Sequence, residues 1–163
     1  MPSPFPWHYP YEPDSPRQRP VLRPLVRVRL IGTCASDREQ ALVDSGSEHI
    51  FADRWLAELA ELAGIDLTHP HHEATIGLGG HFIDIAFVNV TMRLQHLGTD
   101  EEDFVEWETE VGFPDTWRAP WPVVLGQHGF FDRFTVNMHR AAAMTAIEDW
   151  DAFDCRFGTV SGG

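Results

Sequence analysis

Ala41-Leu42-Val43 runs directly into Asp44-Ser45-Gly46-Ser47. An apolar approach buries the base of the aspartate, while the Ser and Gly that follow turn the chain. A carboxylate held in this way suits general acid/base work on a water molecule or a polarised bond. Taken alone, the triplet is also an ordinary strand-ending turn with an exposed acid. Two further stretches bear on that choice. Gly77-Leu78-Gly79-Gly80 follows Ala74-Thr75-Ile76 and has the make-up of a hairpin tip able to fold over a cleft. Val123-Val124-Leu125-Gly126 is a second short apolar strand that ends in glycine.

Other groupings carry less. His69, His71 and His72 flank Pro70 and offer imidazoles, a common zinc ligand. They lack helical i, i+4 spacing and have no Cys or carboxylate at a typical offset, so the stretch reads as a polar loop and no metal is assigned. Ser45 or Ser47 with His49 does not make a serine hydrolase, because no Gly-x-Ser-x-Gly elbow joins a strand to a helix. Asp100-Glu101-Glu102-Asp103 lacks the alternating ligands of a calcium loop and reads as a solvated acidic turn.

The elements that must position Asp44 are mostly strands. In Leu25 to Ile31, Val26, Val28 and Leu30 alternate with Arg27 and Arg29, the period of a strand with one wet face. Gln40 to Val43 forms the strand leading to Asp44. Residues 53–63 read as a helix that follows the Asp44 loop. Trp55, Leu56, Leu59 and Leu62 share one face, Asp53 stands at the start and Gly64 follows the last turn. Glu73 to Met92 reads as a hairpin around Gly77–Gly80. Phe104 to Val111 sets Val105, Trp107, Thr109 and Val111 against Glu106, Glu108 and Glu110. Gly129 to Arg133 suits a short helix or turn, and Phe134–His139 with Ala143–Glu148 a final hairpin. Many short strands with one helix predict a mainly-β, barrel-like domain.

Most of the 12 prolines lie within residues 1–24. Proline removes backbone donors and fixes φ, so this segment is read as an arm, either extended and lying across the domain through Phe5, Trp7 and Tyr9, or disordered. The folded domain is placed at residues 25–149, and residues 150–163 are read as a fraying tail.

The formal net charge is −13 and every cation is arginine. Nucleic acid phosphates and anionic membranes would repel such a chain, so neither is an expected partner. Met1 to Pro10 lacks the basic start and apolar run of a secretory signal. No apolar stretch approaches the roughly 20 residues that span a bilayer. A soluble cytoplasmic protein is the expectation. The two cysteines, Cys34 and Cys155, are read as ordinary thiols.

Ala41-Leu42-Val43-Asp44-Ser45-Gly46-Ser47, then Ile76-Gly77-Leu78-Gly79-Gly80, then Val123-Val124-Leu125-Gly126, in that order and spacing, resemble the retropepsin-like aspartic proteases. Over residues 25–149 the chain looks closest to bacterial single-domain members, and Gly129-Phe130-Phe131-Asp132 fits that type. The resemblance implies a closed barrel with a helix after the catalytic loop, and a flap at Gly77, Leu78, Gly79 and Gly80 that closes on substrate. It implies a homodimer, since one chain supplies one aspartate and the site needs two. Two facing Asp44 carboxylates would share a proton, one acting as base on water and the other as acid toward the scissile carbonyl of a peptide substrate, with no cofactor. Ser45 would brace the two loops across the dimer. Gly46 would let its N–H approach the carboxylate, Ser47 would fill the small-residue position, and Leu125 and Gly126 would support the loop. Gln127-His128 stands where viral members carry a charged pair beginning with Arg, so the dimer contact there must differ. The arm and the acidic segment 95–122 have no counterpart in the minimal viral enzyme. A catalytically idle dimer serving as an interaction module is the alternative.

Overall fold

The computed structural model describes residues 5–14, 21–62, 73–76, 82–97 and 103–158. In chain order the elements are β1 (Trp7–Pro10), β2 (Glu12–Pro13), β3 (Leu22–Arg23), β4 (Leu25–Ile31), β5 (Glu39–Val43), β6 (Ile50–Ala52), α1 (Arg54–Leu59), β7 (Glu73–Ile76), β8 (Phe82–Gln95), β9 (Phe104–Pro114), β10 (Val123–Leu125), β11 (Phe134–His139), a 3-10 turn (Arg140–Ala142), β12 (Met144–Asp149) and α2 (Trp150–Phe157). The largest sheet runs β4-β5-β10-β6-β9-β8-β7, and β8 also pairs with β4. Strands β4, β5, β10, β6, β9 and β8 therefore close a barrel, with β7 attached to β8 outside the ring. The chain forms the expected mainly-β barrel with a helix after the Asp44 loop.

Alternation decides which faces point inward. On β4, Leu25, Val26, Val28 and Leu30 are buried while Arg27 and Arg29 are half-buried. On β9, Trp107, Thr109 and Val111 are buried and Glu106, Glu108 and Glu110 face solvent. The two longest strands, β8 and β9, pair antiparallel from Ile85↔Pro114 to Gln95↔Phe104. Closure comes from β4 against β8, from Arg27↔Gln95 to Ile31↔Thr91.

A second sheet, β1-β12-β11, lies beside the barrel. Here the proline-rich arm contributes a strand: Trp7 pairs with Ile147 and Tyr9 with Thr145. Trp7 and Tyr9 are buried in the same core as the barrel residues. Trp7 stacks on Phe5 at 4.6 Å and meets His96 at 5.2 Å between ring centroids. The Tyr9 hydroxyl donates to the Gln95 carbonyl at 3.0 Å, and burial pushes the phenol well above its ordinary range. Farther on, the Glu12 carboxylate accepts from Arg27 and from Gln40, both at 2.8 Å. The arm is thereby tied to β4 and β5.

Three expectations need correcting. The helix after the Asp44 loop covers Arg54–Leu59, not 53–63. Glu61 takes a left-handed backbone (φ 47°), which ends it. Its expected apolar face also divides: Leu56 is buried and Leu62 packs against the core, whereas Trp55 and Leu59 are exposed. Residues 50–52, assigned to no element from sequence, form β6. The tail expected to fray is helical over Trp150–Phe157, because Asp149 caps it by accepting from the Ala152 N–H at 2.8 Å. The helix is further held by Arg156, which donates to the buried Glu148 carboxylate of β12. Both cysteines are free and exposed. No helix among the described residues is long and apolar enough to cross a membrane.

Candidate active site

Asp44 is the first residue after β5, in the loop that leads to β6. β5 and β6 are not neighbours, because β10 lies between them, parallel to β5 and antiparallel to β6. The Asp44 loop therefore arches over the end of β10. Val43 faces Leu125 in register, and both are buried. The Asp44 N–H donates to the Leu125 carbonyl at 3.0 Å, so β10 fixes the backbone at the point where the carboxylate emerges.

The loop is closed by short-range bonds. The Gly46 N–H donates to Asp44 Oδ1 at 2.9 Å. A Cβ at Gly46 would stand 3.2 Å from that same oxygen, a tight contact that glycine avoids. The Ser47 N–H returns to the Asp44 carbonyl at 3.1 Å, and the Ser47 hydroxyl donates to the His49 carbonyl at 2.8 Å. Asp44 is half-buried, while Ser45 and Gly46 at the tip are exposed. No cation among the described residues pairs with the Asp44 carboxylate. It is an anchored, half-buried acid with one oxygen held by a backbone donor.

The segment after β10 supports the loop from below. Gly126 packs so closely that an added Cβ would lie 2.2 Å from the His49 carbonyl oxygen and 2.8 Å from that of Ser47. Both obstacles are backbone and cannot rotate away. Gly126→Ala is expected to cost about 3 kcal/mol, the upper range of overpacking. Urea unfolding measures it, and a midpoint shift worth less than about 0.5 kcal/mol would contradict the packing. Beyond Gly126, the N–H groups of Gln127 and His128 donate to the carbonyls of Ser47 and Glu48, each at 2.8 Å. The Gln127 side chain adds a bond that its role as a mere departure from the viral pattern did not suggest: Nε2 donates to the Ser45 carbonyl at 2.6 Å. The Gly129–Phe131 turn is anchored by the Trp107 indole, which donates to the Gly129 carbonyl at 2.8 Å, with Phe130 buried beside it.

The structure thus gathers Asp44, Ser45, Gly46, Ser47, Leu125 and Gly126 at one place. Gly77, Leu78, Gly79 and Gly80 lie outside the described residues. The strands on either side, β7 and β8, pair up to Ile76↔Phe82. His69, His71 and His72 also lie outside them. Among the described residues no three potential ligands form a metal-binding group. Sequence reasoning missed an aromatic group at the base of the loop. His49 packs edge-on against Phe87 at 5.0 Å and lies 5.3 Å from His128, to which it is joined by a parallel backbone bridge.

No protein-family model matches the chain, and no curated protein does. Among solved structures, the chain is similar to a retropepsin-like aspartic protease from Rickettsia conorii. The two share 10% identity with a TM-score of 0.44, over 86% of this chain and 89% of that one.

Proposed function

We propose that the chain is one subunit of a homodimeric aspartic endopeptidase, with Asp44 as its catalytic carboxylate. The observation that carries this reading is the anchored, half-buried Asp44, which no cation among the described residues pairs with, beside the exposed Ser45–Gly46 tip of a loop arched over β10. A second copy approaching around a twofold axis would bring an identical carboxylate to face it. Two carboxylates at close range share a proton. The ionised one takes a proton from the attacking water, and the protonated one donates to the carbonyl oxygen of the scissile peptide, which gives a tetrahedral gem-diol. The carboxyl that took the water proton then gives it to the peptide nitrogen as the C–N bond breaks. The other carboxylate regains its proton from the gem-diol hydroxyl as the product carboxyl forms.

Each group already described has a task in this scheme. The Gly46 N–H holds one Asp44 oxygen, which leaves the other for water. The Ser45 tip meets its twin across the dimer. Gly77, Leu78, Gly79 and Gly80, outside the described residues, would serve in this scheme as the flap that covers an extended peptide and excludes water. The substrate is a peptide or protein, and the reaction as proposed uses only carboxylates and water.

A diverse peptide library incubated at pH ~4–7, alongside binding of a pepstatin-like transition-state analogue, tests the reading. Cleavage together with tight inhibitor binding is the expected outcome. Neither cleavage nor binding, in a chain that still dimerises, would replace it with the inactive interaction module.

A further inference from the structure

Four hydrogen bonds join the Asp44 loop to β10 and the turn after it, and they differ in kind. The Asp44 N–H donates to the Leu125 carbonyl, and the N–H groups of Gln127 and His128 donate to the Ser47 and Glu48 carbonyls. These are backbone bonds that any non-proline residue would make. The fourth depends on one side chain, the Gln127 carboxamide donating to the Ser45 carbonyl at 2.6 Å.

That carbonyl belongs to the same peptide plane as the Gly46 N–H, which donates to Asp44 Oδ1 at 2.9 Å. The chain of contacts therefore runs from the Gln127 amide through the Ser45–Gly46 peptide to the Asp44 carboxylate. A peptide group that accepts at its oxygen is polarised so that its N–H donates more strongly. Pinning the oxygen also fixes the rotation of the plane, and with it the direction in which the N–H points.

Gln127 is itself held at both of its peptide groups. Its N–H bonds to Ser47, and its carbonyl accepts from the Asp132 N–H at 3.2 Å. Its side chain thus leaves from a fixed base, which reduces the entropy lost in holding the bond.

We propose that Gln127 is a positioning residue for Asp44, acting through the Ser45–Gly46 peptide. The proposal rests on the reading of Asp44 as the catalytic carboxylate, but its structural half does not depend on activity. It also gives Gln127, which cannot form the ion pair of the viral arginine, a task within its own subunit. The reaching donor is what matters. Ser45 presents a carbonyl, so an isosteric carboxylate cannot replace the amide, whereas a longer cationic donor can.

The test compares the full-length protein with Gln127→Leu, Gln127→Glu and Gln127→Lys. Near neutral pH, where an introduced carboxylate of ordinary acidity is ionised, the Gly46 amide proton resonance is expected to move upfield in the first two variants. Hydrogen exchange in the 41–52 segment is expected to quicken with it. In Gln127→Lys both should stay near the wild-type values. With a cleavable peptide, kcat is expected to fall about tenfold in Gln127→Leu with KM within about twofold, and Gln127→Lys should restore most of it.

An unchanged Gly46 resonance and unchanged exchange in Gln127→Leu would overturn the tether. A perturbed Gly46 with kcat unaltered would overturn the positioning role. If the wild-type protein cleaves nothing, the aspartic protease reading fails on its own account, while the Gly46 resonance still decides whether Gln127 orders the loop.

Discussion

Asp44→Asn is expected to abolish peptide cleavage while leaving the fold intact. The amide keeps the size of the carboxyl, and its oxygen can still accept the Gly46 N–H that Asp44 Oδ1 accepts at 2.9 Å. What it loses is the capacity to take and give a proton. General acid/base catalysis is worth about 10²–10⁴-fold, and a symmetric pair loses both members at once, so activity should drop by about 10³-fold or more. Far-ultraviolet circular dichroism and the urea midpoint should remain near wild type. Cleavage at the wild-type rate would remove Asp44 from the mechanism.

The second large effect concerns the arm. Trp7 is 2% exposed and packs into the core shared by the barrel and the β1-β12-β11 sheet. Trp7→Ala leaves a hole next to Phe5 and His96 and should cost about 4 kcal/mol. Against a typical total stability of about 5–15 kcal/mol, this is enough to lower the melting temperature by many degrees. Denaturant unfolding of the variant measures the loss. A value below about 1 kcal/mol would mean that β1 is a dispensable appendage.

Alternation from Val26 to Leu30 in β4 and from Val105 to Val111 in β9 made these strands legible, because each has one wet face and a period of two is visible in the letters. The Asp44 loop was legible for a related reason. Its apolar lead-in, its small residues and the second apolar strand at Val123–Leu125 are local patterns. β6 was not, since Ile50-Phe51-Ala52 is too short to show a period and is a strand only because β10 and β9 flank it. The helix after the loop was overextended because Leu59 and Leu62 fit a helical stripe, while the left-handed Glu61 that breaks it has no signature in a residue type that rarely adopts that geometry. The second helix was missed although its signal was present, since Asp149 is an ordinary N-cap residue and Trp150, Phe153 and Phe157 recur at helical spacing.

At the site, composition and spacing indicated which residues cluster but not how they bond. That Gly126 must lack a side chain follows from the approach of the His49 and Ser47 carbonyls, two atoms that come from another part of the chain. The bond from Gln127 to the Ser45 carbonyl spans 82 positions in sequence. No local pattern encodes it, and Gln127 stood out in the sequence only as a departure from the pattern the chain resembles.

The central claim is that two copies of Asp44, one from each chain, act as a single catalytic unit. Mixing wild-type protein with Asp44→Asn in varied ratios, with subunits allowed to exchange, tests it directly. Only dimers with two intact aspartates should cleave, so activity per total protein should follow the square of the wild-type fraction. At equal amounts about a quarter of the wild-type activity should remain. Activity that falls in simple proportion, with about half remaining at equal amounts, would show that each chain works alone and would contradict the account.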